Sequence, residues 1–257
     1  MKKIKRITAT LLSAGILAGA AALTACNVKS SSQPAKTTVE NAEEWKSAFD
    51  IFSLDNFSYT AELYDGYEGS GERVARCVVD LTNLKYCAVN NIEYPQSPEN
   101  PAHSETVTAY FESDNNSIWI WDSYEGRAEK MAVEQNSSVK DTFIYQVRES
   151  LALSLFLSYK YSETANSTEG KTLSEFYSAF TYQDGYYITQ SLYQCEDDKA
   201  FPLKITLADG LVRKMECTGE VDGQQFRYAF EFYDLNKSTV QTPSAARAAI
   251  DAAKANG

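Results

Sequence analysis

The sequence predicts an α+β domain that is mainly antiparallel β, and three observations support this prediction. Apolar and polar residues alternate from Phe57 to Leu63, which is the period of a half-buried strand. The last third of the chain contains three Asp-Gly turn signals, beginning at Asp184, Asp209 and Asp222, and strand-like runs flank the second and third. Between these regions, apolar residues recur at helical spacing from Ser138 to Tyr159.

The N-terminal segment has the composition of a bacterial export signal. Four of the first six residues are basic, and an uncharged run then extends to Leu23-Thr24-Ala25-Cys26. Such a pattern is typical of a secretory signal peptide rather than a membrane-spanning helix. The last four residues resemble the bacterial lipobox, Leu-x-(Gly/Ala)-Cys. The resemblance implies that residues 1–25 are removed and that Cys26 receives a diacylglycerol. In the alternative interpretation, an ordinary secretory peptide is removed and Cys26 is incidental.

The mature chain is expected to comprise a tether, one folded domain and a tail. Residues 26–40 begin at the lipidated cysteine and continue as a polar, Ser-rich flexible tether. Residues 41–243 are expected to form a single β-rich domain, and residues 244–257 are an Ala-rich tail that forms at most a marginal helix. The anchor locates the protein on the extracytoplasmic face of the cell membrane, or on the outer membrane of a cell that has one.

Local patterns predict each element in turn. A first helix over Asn41–Ser53 is predicted because Asn41 is a good N-cap, Glu44 follows three residues later, and apolar residues recur from Trp45 to Phe52. A later, short helix is predicted over Leu173–Phe180. The predicted strands are Phe57–Leu63, Arg73–Asp80, Lys85–Ile92, Glu105–Glu112, Ser117–Asp122, Arg127–Val133, Tyr186–Gln194, Phe201–Ala208, Leu211–Gly219 and Gln225–Tyr233.

Four cysteines remain after Cys26. Cys77 and Cys87 lie in a predicted hairpin centred near Thr82, which places them opposite each other and within reach of a disulfide in an oxidising exterior. A register shift of one residue would separate them. Cys195 and Cys217 are predicted to lie two strands apart, beyond the reach of a disulfide. No Cys-x-x-Cys spacing occurs, so no metal site is expected.

The end of the middle helix is apolar on nearly all sides. The segment from Leu151 to Leu157 reads LALSLFL, and such a helix end must be covered on more than one face, for instance by a concave sheet. The candidates for lining a ligand cavity are therefore Leu151, Leu153, Leu155 and Phe156, together with Trp119 and Trp121. Plain core packing is an equally weighted interpretation of the leucine-rich segment.

Charge and composition exclude several classes of function. Residues 1–25 contain four of the 24 basic residues and none of the 35 acidic ones, so the net charge of −11 for the whole chain becomes −15 for the remainder. A domain this acidic repels nucleic acid and anionic lipid headgroups.

No catalytic machinery is expected. The one histidine, His103, lies in a proline-rich loop, and no Gly-x-Ser-x-Gly motif accompanies it. The acidic cluster at Glu196, Asp197 and Asp198 lacks the spacing of a calcium loop. We therefore expect a non-enzyme without cofactors or metal ions.

The element order resembles that of the LolA/LppX-like group of bacterial lipoproteins and lipoprotein carriers. The local points of resemblance are Phe57-Ser-Tyr-Thr-Ala-Glu62 after the first helix, and Tyr228-Ala-Phe-Glu-Phe-Tyr233 followed by Val240-Gln-Thr-Pro243. The resemblance implies a curved, incomplete antiparallel barrel of about 8–11 strands with helices on its concave face. It also implies a cavity between sheet and helices that holds acyl chains. The tail after Pro243 departs from the pattern.

Two functions of different classes follow. In the first, the protein is a non-catalytic binder or carrier of lipid. In the second, it is a cell-surface module that binds a protein or polysaccharide through exposed aromatic residues such as Trp119 and Trp121. These two rings lie on one face of a strand, so either they form an outward patch or they belong to the core.

Lipidation at Cys26 is directly testable. Cys26→Ser removes the sulfur that carries the diacylglycerol, so the expressed protein should move from the detergent phase to the aqueous phase in Triton X-114 partitioning and should lack the mass of the lipid. Cys87→Ser is the matched control and should still partition with detergent. Unchanged partitioning of the Cys26→Ser variant would show that the cysteine is incidental.

Overall fold

The computed structural model describes residues 38–64, 71–98, 100–114, 116–133, 137–150, 161–162, 171–194, 200–221 and 223–256. Its helices are α1 (Ala42–Ala48), a 3-10 helix (Ile51–Ser53), α2 (Val139–Ser150), α3 (Leu173–Ser178) and α4 (Ser244–Asn256). The signal peptide, Cys26 and most of the predicted tether lie outside the described residues.

Ten of the described strands match the predicted ones with shifts of a few residues at their ends, and three short strands were not predicted. The strands before α2 are β1 (Asn56–Tyr64), β2 (Glu72–Asp80), β3 (Lys85–Tyr94), β4 (His103–Asp114), β5 (Ser117–Asp122) and β6 (Ala128–Ala132). Those after it are β7 (Tyr161–Ser162), β8 (Lys171–Thr172), β9 (Thr181–Gln183), β10 (Tyr186–Gln194), β11 (Ala200–Ala208), β12 (Leu211–Val221) and β13 (Gln224–Tyr233).

Eleven of these strands form one sheet in the order β6-β5-β4-β3-β2-β1-β13-β12-β11-β10-β9, and β7 and β8 form a separate parallel pair. Every neighbouring pair of the large sheet is antiparallel. The edge strands β6 and β9 do not pair with each other in the described part of the chain, so the sheet is an open, incomplete barrel. The predicted α+β, mainly antiparallel fold is confirmed.

The two faces of the sheet carry different side chains. On β1, Phe57, Tyr59 and Ala61 are fully buried in the main hydrophobic cluster, which also contains residues of α1 and α2. We call the side of the sheet that α1 and α2 cover the inner face. Side chains alternate between faces along a strand, and Ile118 on β5 accordingly belongs to the inner cluster while Trp119 points to the opposite, outer face.

Helix α1 begins as its sequence predicts. The Asn41 side-chain oxygen accepts a hydrogen bond from the Glu44 amide at 2.9 Å, which satisfies a backbone donor that the first turn leaves unpaired. Trp45 and Ala48 are fully buried against the inner face. The predicted helix to Ser53 is divided, because α1 ends at Ala48 and a single 3-10 turn follows over Ile51–Ser53.

The chain joins the folded domain at Val39. Its amide donates to the Tyr187 hydroxyl at 2.8 Å, and its carbonyl accepts from Tyr177 at 3.2 Å and from Tyr187 at 3.3 Å. Val39 itself is buried. The folded domain therefore includes Val39, two residues before the predicted boundary.

The Ala-rich tail forms a regular helix that packs on the outer face. In α4, Ala246 and Ile250 are fully buried and form a second cluster with Tyr110, Trp119 and Trp121. Small alanine side chains let the helix approach these rings closely. Helix α4 therefore belongs to the β-rich domain, which extends beyond its predicted end at residue 243.

A buried carboxylate also holds α4 in place. The side chain of Glu112 is 6% exposed and lies 3.3 Å from the Arg247 guanidinium and 3.4 Å from the Lys254 ammonium, both on α4. The Tyr110 hydroxyl donates to the same carboxylate at 2.9 Å. A buried carboxylate needs such partners because losing its water is costly.

Docking of α4 can be tested with Ile250→Ala. Loss of this fully buried side chain should lower the free energy of unfolding by roughly 2–4 kcal/mol in urea titrations followed by tryptophan fluorescence. Asp251→Ala, on the exposed side of the same helix, is the control and should change it by less than about 0.5 kcal/mol. Equal effects of the two substitutions would contradict the docked position.

Candidate functional site

The inner face is a continuous apolar surface. Inward side chains from nine neighbouring strands, which run from β5 to β10 in the order of the sheet, belong to one cluster, and nine strands at ~4.8 Å spacing span roughly 38 Å. Aromatic rings dominate its centre: Phe57 and Tyr59 lie 6.1 and 5.7 Å from Phe232, and Tyr86 lies 4.9 Å from Phe111. Such a surface can hold an acyl chain.

A small cluster of hydroxyl groups interrupts this apolar surface. The Tyr59 and Tyr86 hydroxyls lie 3.4 Å apart, and Ser150 donates to the Tyr86 oxygen at 3.0 Å. Tyr86 in turn donates to the Cys77 sulfur at 3.9 Å. Burial raises the pKa of both tyrosines well above the ordinary value. The phenols therefore stay neutral and can donate a hydrogen bond to a carbonyl or carboxyl oxygen.

Sequence reasoning did not single out these hydroxyl groups. Tyr59 and Tyr86 appeared only as inward positions of strands, where tyrosine and phenylalanine serve a core equally well. Their inward positions on β1 and β3 were the available signal. The contact with Ser150 depends on where α2 lies on the sheet, which no local pattern predicts.

Helix α2 approaches the inner face as its apolar stripe predicts. Phe143 and Val147 are fully buried in the inner cluster, and Ile144 packs against it. Ser150, the last described residue of α2, contacts Tyr86. The cavity candidates Leu151, Leu153, Leu155 and Phe156 follow immediately and lie outside the described residues, so their role stays a prediction.

The other two cavity candidates are on the wrong side of the sheet. Trp119 and Trp121 project from the outer face and are 6% and 4% exposed beneath α4. The Trp119 indole donates to Asp114 at 2.6 Å, and the Lys254 ammonium lies 5.4 Å from the ring centre. They line neither the inner face nor an exposed aromatic patch, because α4 covers them.

The prediction of a disulfide between Cys77 and Cys87 is wrong, because the register of the hairpin differs by one residue from the predicted register. Cys77 pairs with Ala88, and Cys87 pairs with Val78, so the two sulfurs point to opposite faces and both thiols are free. The cause is a four-residue turn, in which Asp80 accepts hydrogen bonds from the Thr82 and Asn83 amides at 3.0 and 2.8 Å. Of the two cysteines that were predicted not to pair with each other, Cys217 is buried in the inner cluster, and Cys195 lies outside the described residues.

An open groove, lined by several polar side chains, lies on the outer face over the ends of β1, β2, β12 and β13. Its volume is about 530 Å³, and its lining residues are Tyr64, Glu72, Thr218, Gly219, Glu220, Gln225, Phe226 and Arg227. The Arg227 guanidinium is held by Glu62 at 2.6 Å. The groove is shallow and charged, so it suits a polar surface ligand rather than an acyl chain.

The other residues considered as metal ligands or catalytic groups form no such centre among the described residues. His103 is the first residue of β4 rather than a loop residue. The described residues contain no group of three or more metal-ligating side chains. Glu196, Asp197 and Asp198 lie outside them.

Comparisons with known proteins give little similarity. No protein-family model matches the chain, and no curated protein matches its sequence. Among solved structures, the crystal structure of LprF from Mycobacterium bovis is similar over 79% of this chain and 96% of LprF, with 9% sequence identity and a TM-score of 0.36. Values this low extend no property of LprF to this chain. No described helix is long and apolar enough to cross a membrane.

The two free thiols should be unreactive in the native protein. Burial raises the pKa of Cys77 to about 12 and that of Cys87 to about 11, so at pH 8 roughly one Cys77 thiol in ten thousand is ionised. Iodoacetamide at pH 8 should modify both only after urea is added, as read by peptide mapping. Cys87 should react before Cys77 as the pH is raised. A disulfide-linked peptide containing both residues would contradict the observed register.

Proposed function

We propose that this chain is a lipid-anchored, extracytoplasmic lipoprotein that binds or carries lipid without catalysis. In this proposal, the acyl chain lies between the inner face and the helices that cover it. The observation that carries the proposal is the inner face itself, an extended apolar surface whose centre is interrupted by neutral hydroxyl groups. Acyl chains need an apolar wall, and a few placed donors suffice to orient a ligand.

The leucine-rich segment supplies the second part of the argument. Helix α2 buries Phe143 and Val147 against the inner face, and Ser150 of the same helix contacts Tyr86. The chain then continues into Leu151–Leu157, whose sequence LALSLFL is almost entirely apolar. We propose that Leu151, Leu153, Leu155 and Phe156 line the ligand site together with the inner face.

The membrane anchor rests on the lipobox resemblance at Leu23-Thr24-Ala25-Cys26 and on the polar tether that follows. The hydrogen bonds at Val39 hold the start of the folded domain beside Tyr177 and Tyr187. The lipid on Cys26 thus keeps the domain at the membrane surface, where lipid ligands are available, and the fixed junction determines which side of the domain the tether leaves.

The net charge narrows the class of lipid. A chain with a net charge of −15 after signal removal repels anionic headgroups. Neutral or zwitterionic lipids and uncharged acyl esters are therefore the preferred ligands.

A cell-surface binding module is the alternative function, and the outer groove favours it. Tyr64 is 37% exposed there, next to glutamate, glutamine and arginine side chains. An exposed aromatic ring with surrounding hydrogen-bonding groups suits a saccharide or a peptide. This groove replaces the Trp119 and Trp121 patch, which α4 covers.

Lipid binding can be tested on residues 27–257, which contain every described helix and strand. Native mass spectrometry should detect a bound lipid at 1:1 stoichiometry before solvent extraction and the free protein after it. The lipid should bind again when it is added back, and its mass should be unchanged. Leu155→Glu should weaken uptake at least tenfold, because a buried carboxylate loses its hydration.

Tyr145→Glu is the matched control on α2, where the side chain is 60% exposed, and it should bind lipid as the unchanged protein does. An unliganded mass together with no uptake of any added lipid would contradict the proposal. Retention of an oligosaccharide, lost on Tyr64→Ala, would instead support the alternative.

A further inference from the structure

Four polar side chains gather where β2, β3 and β4 reach one rim of the inner face. Arg73 pairs with Ile92, which pairs with Glu105, and Tyr94 pairs with His103. Ile92 is buried, as is Val107 at the next inward position of β4. Because inward positions alternate along each strand, Arg73, Tyr94, His103 and Glu105 share the inner face with these apolar residues. We call these four residues the rim cluster.

The rings of the rim cluster hold each other in a defined position. Tyr94 and His103 are stacked, with ring centres 4.7 Å apart and planes inclined by 16°. The His103 Nδ1 lies 3.1 Å from the Pro101 carbonyl and donates to it. This contact directs Nε2 toward Glu105, whose Oε1 lies 3.9 Å away.

One carboxylate oxygen of Glu105 lacks a hydrogen bond. Its side chain is 22% exposed, yet its Oε2 atom is buried and has no hydrogen-bond partner in the described part of the protein. A buried carboxylate oxygen without a donor is unfavourable. A ligand that brings an N–H or O–H group to this oxygen would supply the missing bond.

Arg73 supplies a positive charge at the same rim of the inner face. Arg73 and Glu105 face each other across Ile92, and two strand spacings separate their backbones by roughly 10 Å. Both charges act on Tyr94: burial raises its pKa above the ordinary value, Glu105 raises it further, and Arg73 opposes the increase. The cluster thus presents a cation, a carboxylate and a phenol.

We propose that the rim cluster binds the headgroup of a zwitterionic lipid that carries a phosphate and a primary ammonium, while its acyl chain follows Ile92 and Val107 onto the inner face. The phosphate contacts Arg73, and the ammonium donates to Glu105. This inference rests on the proposed lipid-binding function and names the class of lipid. A headgroup with a negative charge alone would be repelled by the Glu105 carboxylate. A quaternary ammonium has no N–H group and cannot donate a hydrogen bond to Oε2.

The test measures how residues 27–257 bind four ligands with matched acyl chains: lysophosphatidylethanolamine, lysophosphatidylcholine, lysophosphatidylglycerol and the free fatty acid. Isothermal titration below the micelle concentration should give the ethanolamine lipid about tenfold tighter binding than the choline lipid, since one hydrogen bond to a charged group corresponds to about that factor. Glycerophosphoethanolamine, the same headgroup without a chain, shows whether headgroup binding alone accounts for the affinity.

Two variants connect the selectivity to the cluster. Glu105→Gln keeps the shape of the side chain but removes its charge, and it should abolish the tenfold preference while fatty-acid binding stays unchanged. Arg73→Gln should weaken all three phospholipids and leave the fatty acid unaffected. Glu93→Gln, exposed on the outer side of β3, is the control and should alter neither property.

The outcomes separate the two proposals. Equal affinity for all four ligands, or a preference that survives Glu105→Gln, would overturn the rim site and leave lipid binding intact. Failure of every ligand with an acyl chain, including the fatty acid, would overturn the proposed function itself. Binding of glycerophosphoethanolamine alone, lost on Glu105→Gln, would keep the headgroup site while rejecting the acyl-chain site.

Discussion

The antiparallel pairing of β1 with β13 is the constraint on which the rest of the structure depends. It joins a strand from the first third of the chain to the last strand and so connects two groups of strands into one sheet. Its register sets Tyr59 opposite Phe232 and Ala61 opposite Phe230, all on the inner face. Without this pairing each group would have half an inner face, and the helices would have no common core to cover. Such contacts between distant residues form late in folding, because a long loop must close first.

Buried polar groups are stabilised in different ways on the two faces of this sheet. On the inner face, Tyr59, Tyr86 and Ser150 pair with one another and remain neutral. On the outer face, the buried carboxylate of Glu112 forms ion pairs with Arg247 and Lys254 of α4. Apolar packing holds α4 against the tryptophans, and the ion pairs determine its position along the sheet, since an unpaired buried carboxylate is strongly destabilising.

The proposed ligand site follows from the same alternation. Inward positions of β2, β3 and β4 are mainly apolar in the middle of the sheet, with the buried Asn90 as a polar residue among them, and polar at one end, where Arg73, Tyr94 and Glu105 lie. An amphiphile has the same order of groups, an apolar chain that ends in a polar head. The opposite charges of Arg73 and Glu105 complement a zwitterion, which agrees with the exclusion of anionic lipids by the net charge of the domain.

Local sequence patterns determined the elements and their ends. The Asn41 cap begins α1, and the Asp184-Gly185 and Asp209-Gly210 turns adopt the positive φ angles that such hairpin turns need. Periodicity of two identified every strand of the large sheet except the three-residue β9, because period and turn chemistry depend only on neighbouring residues. The same patterns could not set the β2–β3 register, where the hydrogen bonds of Asp80 shift Cys77 away from Cys87 by one residue.

Only the tertiary structure decided what covers each face. An Ala-rich tail reads the same whether it is free in solvent or docked, and its place over Trp119 and Trp121 depends on Glu112, far away in the sequence. The hydroxyl cluster and the rim cluster likewise combine residues from separate elements. The physical reason is the same in each case: strand order and docking arise from contacts between distant residues, which no local pattern contains.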